Sequence, residues 1–284
     1  MITSLVRPVG LNDHQQLSNL IFFETHIHRH LDWRSPLEWL GAPFYWAMEE
    51  GHRITAALAC PTEEEGIAWV RLFVYAGHGS AGRAWNVLWS TAQQEIALAG
   101  GATVAAIAMQ PWFQQVLTDS GFENRQQIVM LEWQYQPWVP REANGVLIRK
   151  MREADLPQVV KTDNAAFHPL WHNSHETIRL AYSQALFATV AENSQGIVGY
   201  QISTGHGQRA HLARLAVQPE VQGNGVGRAL LSDLFSRTTQ HGIVRLSVNT
   251  QSDNTTSLSL YRKMGFQRTG EEYPVYTFQV PASV

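Results

Sequence analysis

Residues 217–231, VQPEVQGNGVGRALL, decide the fold. An apolar run, HLARLAV (211–217), leads into Gly223, Gly225 and Gly227 at every second position, and RALLSDLFSRTTQ (228–240) then resumes with apolar residues at helical spacing. A strand entering a helix through such a turn leaves several backbone N–H groups and the positive helix end facing outward, which suits a pyrophosphate. Two better-known phosphate turns fit poorly. A Walker loop needs Lys and then Ser or Thr after its last glycine, whereas Arg228 and Ala229 follow Gly227. A dinucleotide fingerprint needs G-x-G-x-x-G with an acid about 20 residues on, but the spacing here is G-x-G-x-G and the next strand ends at Val248-Asn249.

The chain repeats itself. LVR at 5–7 returns as LIR at 147–149, RLFV at 71–74 as RLAV at 214–217, and SGF at 120–122 as MGF at 264–266, so the offset stays nearly constant. A nearly constant offset across the half-length implies a tandem duplication. At 284 residues the chain exceeds one ordinary domain, and QPWVPREANG (136–145) supplies the break. The expected domains are 1–138 and 139–284.

Composition narrows the function. A formal charge of -3 with 16% charged residues gives no basic footprint for nucleic acid. Cys60 is the single cysteine, which excludes intrachain disulfides and thiolate metal clusters and is consistent with a reducing cytosol. No apolar run approaches the length of a membrane span, and MITSLVRPVG (1–10) has no signal-peptide core, so a cytoplasmic protein is expected.

The second half reads as strand 145–151, helices 153–167 and 174–186, strands 187–193, 197–204 and 210–217, a helix over 225–240, strand 243–249, a helix over 253–264, and a last hairpin of strands 267–273 and 275–280. This is an α/β (α+β) layer with a mixed, mainly antiparallel sheet flanked by helices.

Gln222-Gly223-Asn224-Gly225-Val226-Gly227 resembles the Q/R-x-x-G-x-G/A pyrophosphate signature of the GNAT superfamily of acyl-CoA-dependent N-acetyltransferases. NTTSLSLYRKMGF (254–266) resembles its second signature, N-x-x-A-x-x-L-Y-x-x-x-G-F, with Ser257 where alanine is usual. The resemblance implies two tandem GNAT-like domains and acetyl-CoA as acyl donor, without a metal. It also implies pantetheine between the strands ending at Val217 and near Asn249, paired with backbone at Leu215, Ala216 and Val217. Arg228 is either a phosphate contact or a solvated helix residue. Asn254 is an N-cap, a cofactor contact, or both.

Tyr261 matches the family tyrosine that protonates the departing CoA thiolate; otherwise it anchors the helix. An acceptor amine is protonated near neutral pH and must lose a proton before attack. His211 stands eleven residues before Gln222, where several family members carry a glutamate, and either acts as base or only hydrogen-bonds from its strand. Simple alternation puts His211 on one face with Ala213 and Leu215. His168, Trp171 and His172 in AFHPLWHNSHE (166–176), with Tyr273 and Tyr276 on the last hairpin, are candidate acceptor contacts. The three histidines of that segment, including His175, lack a zinc-ligand pattern.

At the repeat offset the first half carries Gly79 where Gln222 stands, Ala68 for His211, Gln110 for Asn254 and Leu117 for Tyr261. It resembles a decayed copy, and Trp33, Trp39, Trp46, Trp69, Trp85, Trp89 and Trp112 are expected in packing rather than in a ligand box. The layout is similar to that of the mycothiol synthases. The implied activity is acetyl transfer to a primary amine of a small molecule or peptide terminus by the C-terminal half. The alternative is a non-catalytic module that binds acyl-CoA.

Overall fold

The computed structural model describes residues 4–64, 66–77, 79–136 and 145–283. Of the expected junction over 136–145, residues 137–144, with the boundary at 138/139, lie outside the described residues. The chain forms two compact units, Met1–Gln126 with Tyr273–Val284, and Gln127–Glu272.

The first unit holds β1 (Leu5–Pro8), α1 (His14–Phe23), β2 (Ile27–Arg29), β3 (Tyr45–Glu50), β4 (Arg53–Ala59), β5 (Thr62–Glu64), β6 (Ile67–Trp69), β7 (Leu72–Tyr75), α2 (Ala81–Leu98), β8 (Ala102–Ile107) and α3 (Pro111–Asp119). Its strands run β1-β3-β4-β7-β2 in one sheet, while β6 pairs with β5 and, in parallel, with β8. Between them the chain carries β9 (Glu123–Gln134), whose Gln127–Gln134 part belongs to the second unit. The second unit continues with β10 (Leu147–Lys150), α4 (Leu156–Ala166), α5 (His175–Ser183), β11 (Phe187–Asn193), β12 (Gly196–His206), β13 (Arg209–Val217), α6 (Val226–Gln240), β14 (Arg245–Gln251) and α7 (Thr255–Lys263). Its strand order is β10-β11-β12-β13-β14-β9, antiparallel except for the β13–β14 pair. This is the mixed, mainly antiparallel sheet that the periodicities imply.

The last strand of each repeat is exchanged. β9 ends the first repeat, yet Ile128–Gln134 pair with Arg245–Gln251 of β14. β15 (Gln267–Val280) ends the second repeat, yet Val275–Val280 pair with Ala102–Ile107 of β8 in the first unit. The strand from the first repeat is integral to its host core, because Trp133 is fully buried and stacks on Phe235 with centroids 4.4 Å apart. Truncating an aromatic so placed costs about 3–5 kcal/mol. β15 is also one continuous strand rather than the expected hairpin. Pro274 reads as a break in sequence, but its carbonyl accepts from Ala108 N–H, and the donor it lacks would have met the Ala108 carbonyl, which accepts from Gln114 Nε2 instead.

Side chains repeat as well as backbone. Arg7 donates to Glu49 and, through both terminal nitrogens, to Asp13; Arg149 does the same to Glu192 and Asp155, all within 2.6–2.9 Å. The same three-residue clamp at the same offset ties each repeat's first strand to the start of its first helix. Trp39, Trp46, Trp85 and Trp89 belong to the first unit's cores, Trp112 packs against the core that holds the last three, and Trp69 is buried.

Candidate functional site

The glycine turn has the conformation its residues allow. Gly225 sits at φ +86° as the residue before α6, a left-handed angle disfavoured for a residue bearing Cβ, and Gly223 lies at φ +81°. The first N–H groups of α6 receive no side-chain cap, so its positive end stays available. Gly227 serves a different need: a Cβ there would lie 3.0 Å from Leu260 of α7, so the bare backbone lets the two helices close on the turn.

Beside this turn β13 and β14 diverge. Their pairing runs from Arg209 with Arg245 to Leu212 with Val248, and among the described residues Arg214–Val217 keep only β12 as a strand partner. The space left is a cavity of about 890 Å³. Leu215, Ala216 and Val217 line it from the strand, and Gln222, Gly223, Gly225, Val226, Gly227 and Arg228 from the turn and helix. Asn254, Ser257, Leu260 and Lys263 line it from α7, and Ala166 and Phe167 from the end of α4. An unpaired strand edge at one end and uncapped helix amides at the other suit a ligand with peptide-like amides and an anionic tail.

A bulge corrects the expected strand faces. Ile202 pairs with Arg214 and Ser203 with Leu212, leaving Ala213 as an extra residue. The alternation therefore slips by one, and His211 shares a face with Arg214 and Ala216 rather than with Leu215. On that face His211 Nδ1 is 2.9 Å from Ser247 Oγ of β14, and Ser247 Oγ lies 3.4 Å from the Ala210 carbonyl. If the serine hydroxyl donates to that carbonyl, Nδ1 carries the proton and Nε2 keeps its lone pair. Burial holds the His211 pKa below its ordinary value.

Tyr261 is 4% exposed, packs at 5.5 Å from the Phe266 ring and does not line the cavity. Burial raises its phenol pKa, with the Arg214 charge opposing, so the group stays protonated at neutral pH. Asn254 caps α7, its Oδ1 accepting from Ser257 N–H at 3.0 Å. Gln222 donates to the Val217 carbonyl at 3.0 Å, and Asn224 is exposed on the same turn.

A buried ionic cluster, unanticipated from sequence, holds the cavity rim. Asp163 of α4 is fully buried and accepts two 2.8 Å bonds from Arg214, a 2.5 Å bond from the Tyr200 hydroxyl and one from Asn173 N–H. Arg214 also donates to the Trp171 carbonyl, and its guanidinium lies 3.6 Å from the Phe167 ring centroid. The available signal was the repeat itself, since Arg71 and Arg214 occupy the same repeat position. Ser247 gave a weaker one, as the polar residue between buried Leu246 and Val248.

Two of the loop histidines make local bonds. His168 Nδ1 accepts from Leu170 N–H, and His172 Nε2 is 2.9 Å from the Phe167 carbonyl. Tyr273 and Tyr276 fall in the first unit, where Tyr276 is a core residue opposite Ala106. In that unit Ala68 pairs with Val104 as His211 pairs with Ser247, so the polar pair has no counterpart. Among the described residues no group of three or more His, Cys, Asp or Glu is gathered for a metal, and no helix is long and apolar enough to cross a membrane.

Comparison with known proteins agrees with this geometry. Residues 155–276 match the acetyltransferase (GNAT) domain model. Over 56 residues the chain is 46% identical to the N-alpha-acetyltransferase RimI of Mycobacterium tuberculosis, covering 20% of this chain and 34% of that protein. Over 211 residues it is 26% identical to the mycothiol acetyltransferase of Gordonia bronchialis, covering 68% of this chain and 66% of the relative. The match thus spans about a third of one relative's length and just under two thirds of the other's. A tandem GNAT protein from the clavulanic acid biosynthesis pathway superposes with a TM-score of 0.67 at 15% identity, covering 99% of this chain and all of that one. A GCN5-related N-acetyltransferase from Sphaerobacter thermophilus gives 0.65 at 16%, covering 99% and 97%. At these identities the likeness is one of fold.

Proposed function

Because residues 155–276 are a GNAT acetyltransferase domain within a tandem GNAT fold, we propose that the chain is an acetyl-CoA-dependent N-acetyltransferase whose second repeat is active. The observation that carries this reading is the open edge of β13 at Arg214–Val217, continuous with the uncapped start of α6. Leu215 and the Val217 N–H, which face away from β12, offer backbone groups to the pantetheine amides, whereas Ala216 turns its own toward Tyr200 of β12, the alternation set by Gln218 N–H on the Val198 carbonyl. The turn from Gln222 to Arg228 offers N–H groups and one positive charge to the pyrophosphate, and Asn254 and Ser257 border the same space.

Acetyl-CoA supplies an activated acyl carbon, and attack by an amine releases the CoA thiolate. The chain's part is proton management and orientation. His211 Nε2, with Nδ1 engaged by Ser247, takes the proton an ammonium must lose. Tyr261, kept protonated by burial, donates to the departing sulfur. Phe167, held by Arg214, shapes the mouth of the cavity. The acceptor is a primary amine of a small molecule or a peptide terminus, in keeping with relatives named for an N-alpha-amine and for mycothiol.

The test is thiol release from acetyl-CoA across a panel of amines and N-terminal peptides. Amine-dependent release is expected. Tight acetyl-CoA binding without turnover on any amine would instead favour a module that only binds acyl-CoA.

A further inference from the structure

We infer that Glu24–His30 occupies, within the first unit, the cleft that corresponds to the open cleft of the second, so that this repeat carries a segment of its own chain where the other takes acyl-CoA. The inference rests on the acyl-CoA reading of the second repeat.

The correspondence is fixed by strand register. Ile67, Ala68 and Trp69 pair in parallel with Thr103, Val104 and Ala105, as Ala210, His211 and Leu212 pair with Leu246, Ser247 and Val248. Both strands of each pair are related by the same shift in sequence, the one that relates Arg71 to Arg214. The interruption between β6 and β7 falls at Val70, the counterpart of the bulged Ala213. Leu72, Phe73 and Val74 are therefore the counterparts of Leu215, Ala216 and Val217.

That edge is open in the second unit and filled in the first. Arg29, His28 and Ile27 pair antiparallel with Leu72, Phe73 and Val74, and His30 N–H donates to the Arg71 carbonyl at 3.0 Å. β2 thus supplies the hydrogen-bonding groups that an exposed edge requires. Its side chains close the remaining space. His28 is fully buried, bonds the Val70 carbonyl through Nε2 at 3.0 Å, and stacks at 4.1 Å on Phe113, the counterpart of Ser257. His26 packs between Tyr75 and Trp112. Beyond the strand, the Glu24 carboxylate accepts from Gly77 N–H at 2.9 Å.

The turn has changed to match. α2 begins at Ala81, two positions earlier than α6 does in its repeat, and Ser80 caps it by accepting from Arg83 N–H. Gly82, the counterpart of left-handed Gly225, lies within the helix and has no positive φ. Among the described residues the first repeat therefore has neither an open edge at Leu72–Val74 nor an uncapped glycine turn. A decayed sequence would by itself leave a weak site, whereas a paired strand leaves none.

Hydrogen–deuterium exchange on the full chain, with and without saturating acetyl-CoA, tests this. Peptides covering 72–76 should exchange slowly in the free protein and stay unchanged on addition, while peptides covering 214–228 slow by about tenfold or more. Binding measured calorimetrically should be one equivalent per chain, with most of the affinity lost in Gly225→Val. Fast exchange at 72–76 in the free protein, or protection there by acetyl-CoA, overturns the inference and leaves the reading of the second repeat standing. Absence of protection at 214–228 overturns that reading, and the inference with it.

Discussion

His211 Nδ1 and Ser247 Oγ lie 2.9 Å apart across the parallel pair β13–β14, on the face to which the bulge at Ala213 turns the histidine. A bond at Nδ1 orients the ring and selects the nitrogen left to act as base. Ser247→Ala should therefore lower kcat by about tenfold with KM for acetyl-CoA unchanged, and His211→Ala by the roughly 10²- to 10⁴-fold of a lost base. Burial holds the His211 pKa below its ordinary value, so the base form persists to lower pH than free imidazole allows. The acidic limb of kcat/KM should then fall below pH ~6.5 and vanish in His211→Ala. A limb retained in that variant would assign it to another group.

Tyr261→Phe should keep the ring contact with Phe266 and leave acetyl-CoA affinity intact. Turnover should drop by roughly 10²- to 10⁴-fold, the usual cost of losing a proton donor. Steady-state kinetics beside calorimetric titration would separate the two effects, and near-normal kcat would assign the proton to water or to the acceptor.

Gly225→Val places a β-branched residue at φ +86°. Strain of about 1–3 kcal/mol is expected, together with loss of most acetyl-CoA affinity, because the side chain projects beside the first amides of α6. Titration of a variant that retains its cooperative thermal transition would read the binding loss separately from the strain.

Asp163→Ala removes the shared acceptor of Arg214 and Tyr200 and leaves a buried guanidinium without its partner. Breaking such a pair costs about 3–5 kcal/mol. Urea unfolding should show that loss, and the mouth at Phe167 should loosen, raising KM for the amine more than for acetyl-CoA.

His28 links stability to pH. Burial pushes its pKa down to about 4, while an unfolded imidazole titrates near 6.5. Its contribution is complete above pH ~6.5 and is lost as pH falls toward 4, since the unfolded chain binds a proton that the folded one refuses, with a limit of about 3 kcal/mol. His30, held low by burial and by nearby Arg71 and His28, acts in the same sense. Denaturation measured from pH 7 to 4.5 should therefore show a slope that His28→Gln reduces but does not abolish.

The sequence alone determined what short-range chemistry encodes. Glycines at 223 and 225 announce a turn whose backbone angles other residues resist, Asn254 announces a helix start, and the near-constant offset between matching segments announces two copies of one α/β layer. These signals lie within a few residues of the structure they specify, or repeat at a fixed distance. Tertiary structure decided which strand meets which edge. Alternation gives β9 and β15 a buried face but does not say which sheet receives them, so their exchange was not legible. One extra residue at Ala213 reversed the face of everything beyond it, bringing His211 to the Arg214 side and leaving Leu215 on the other. The place of Glu24–His30 along β7 follows from pairing between strands far apart in the chain. Asp163, Arg214 and Tyr200 likewise meet from three separate elements. Pairing register and burial are properties of the assembled core, settled by the free energy of contacts distant in sequence, and no local pattern records them.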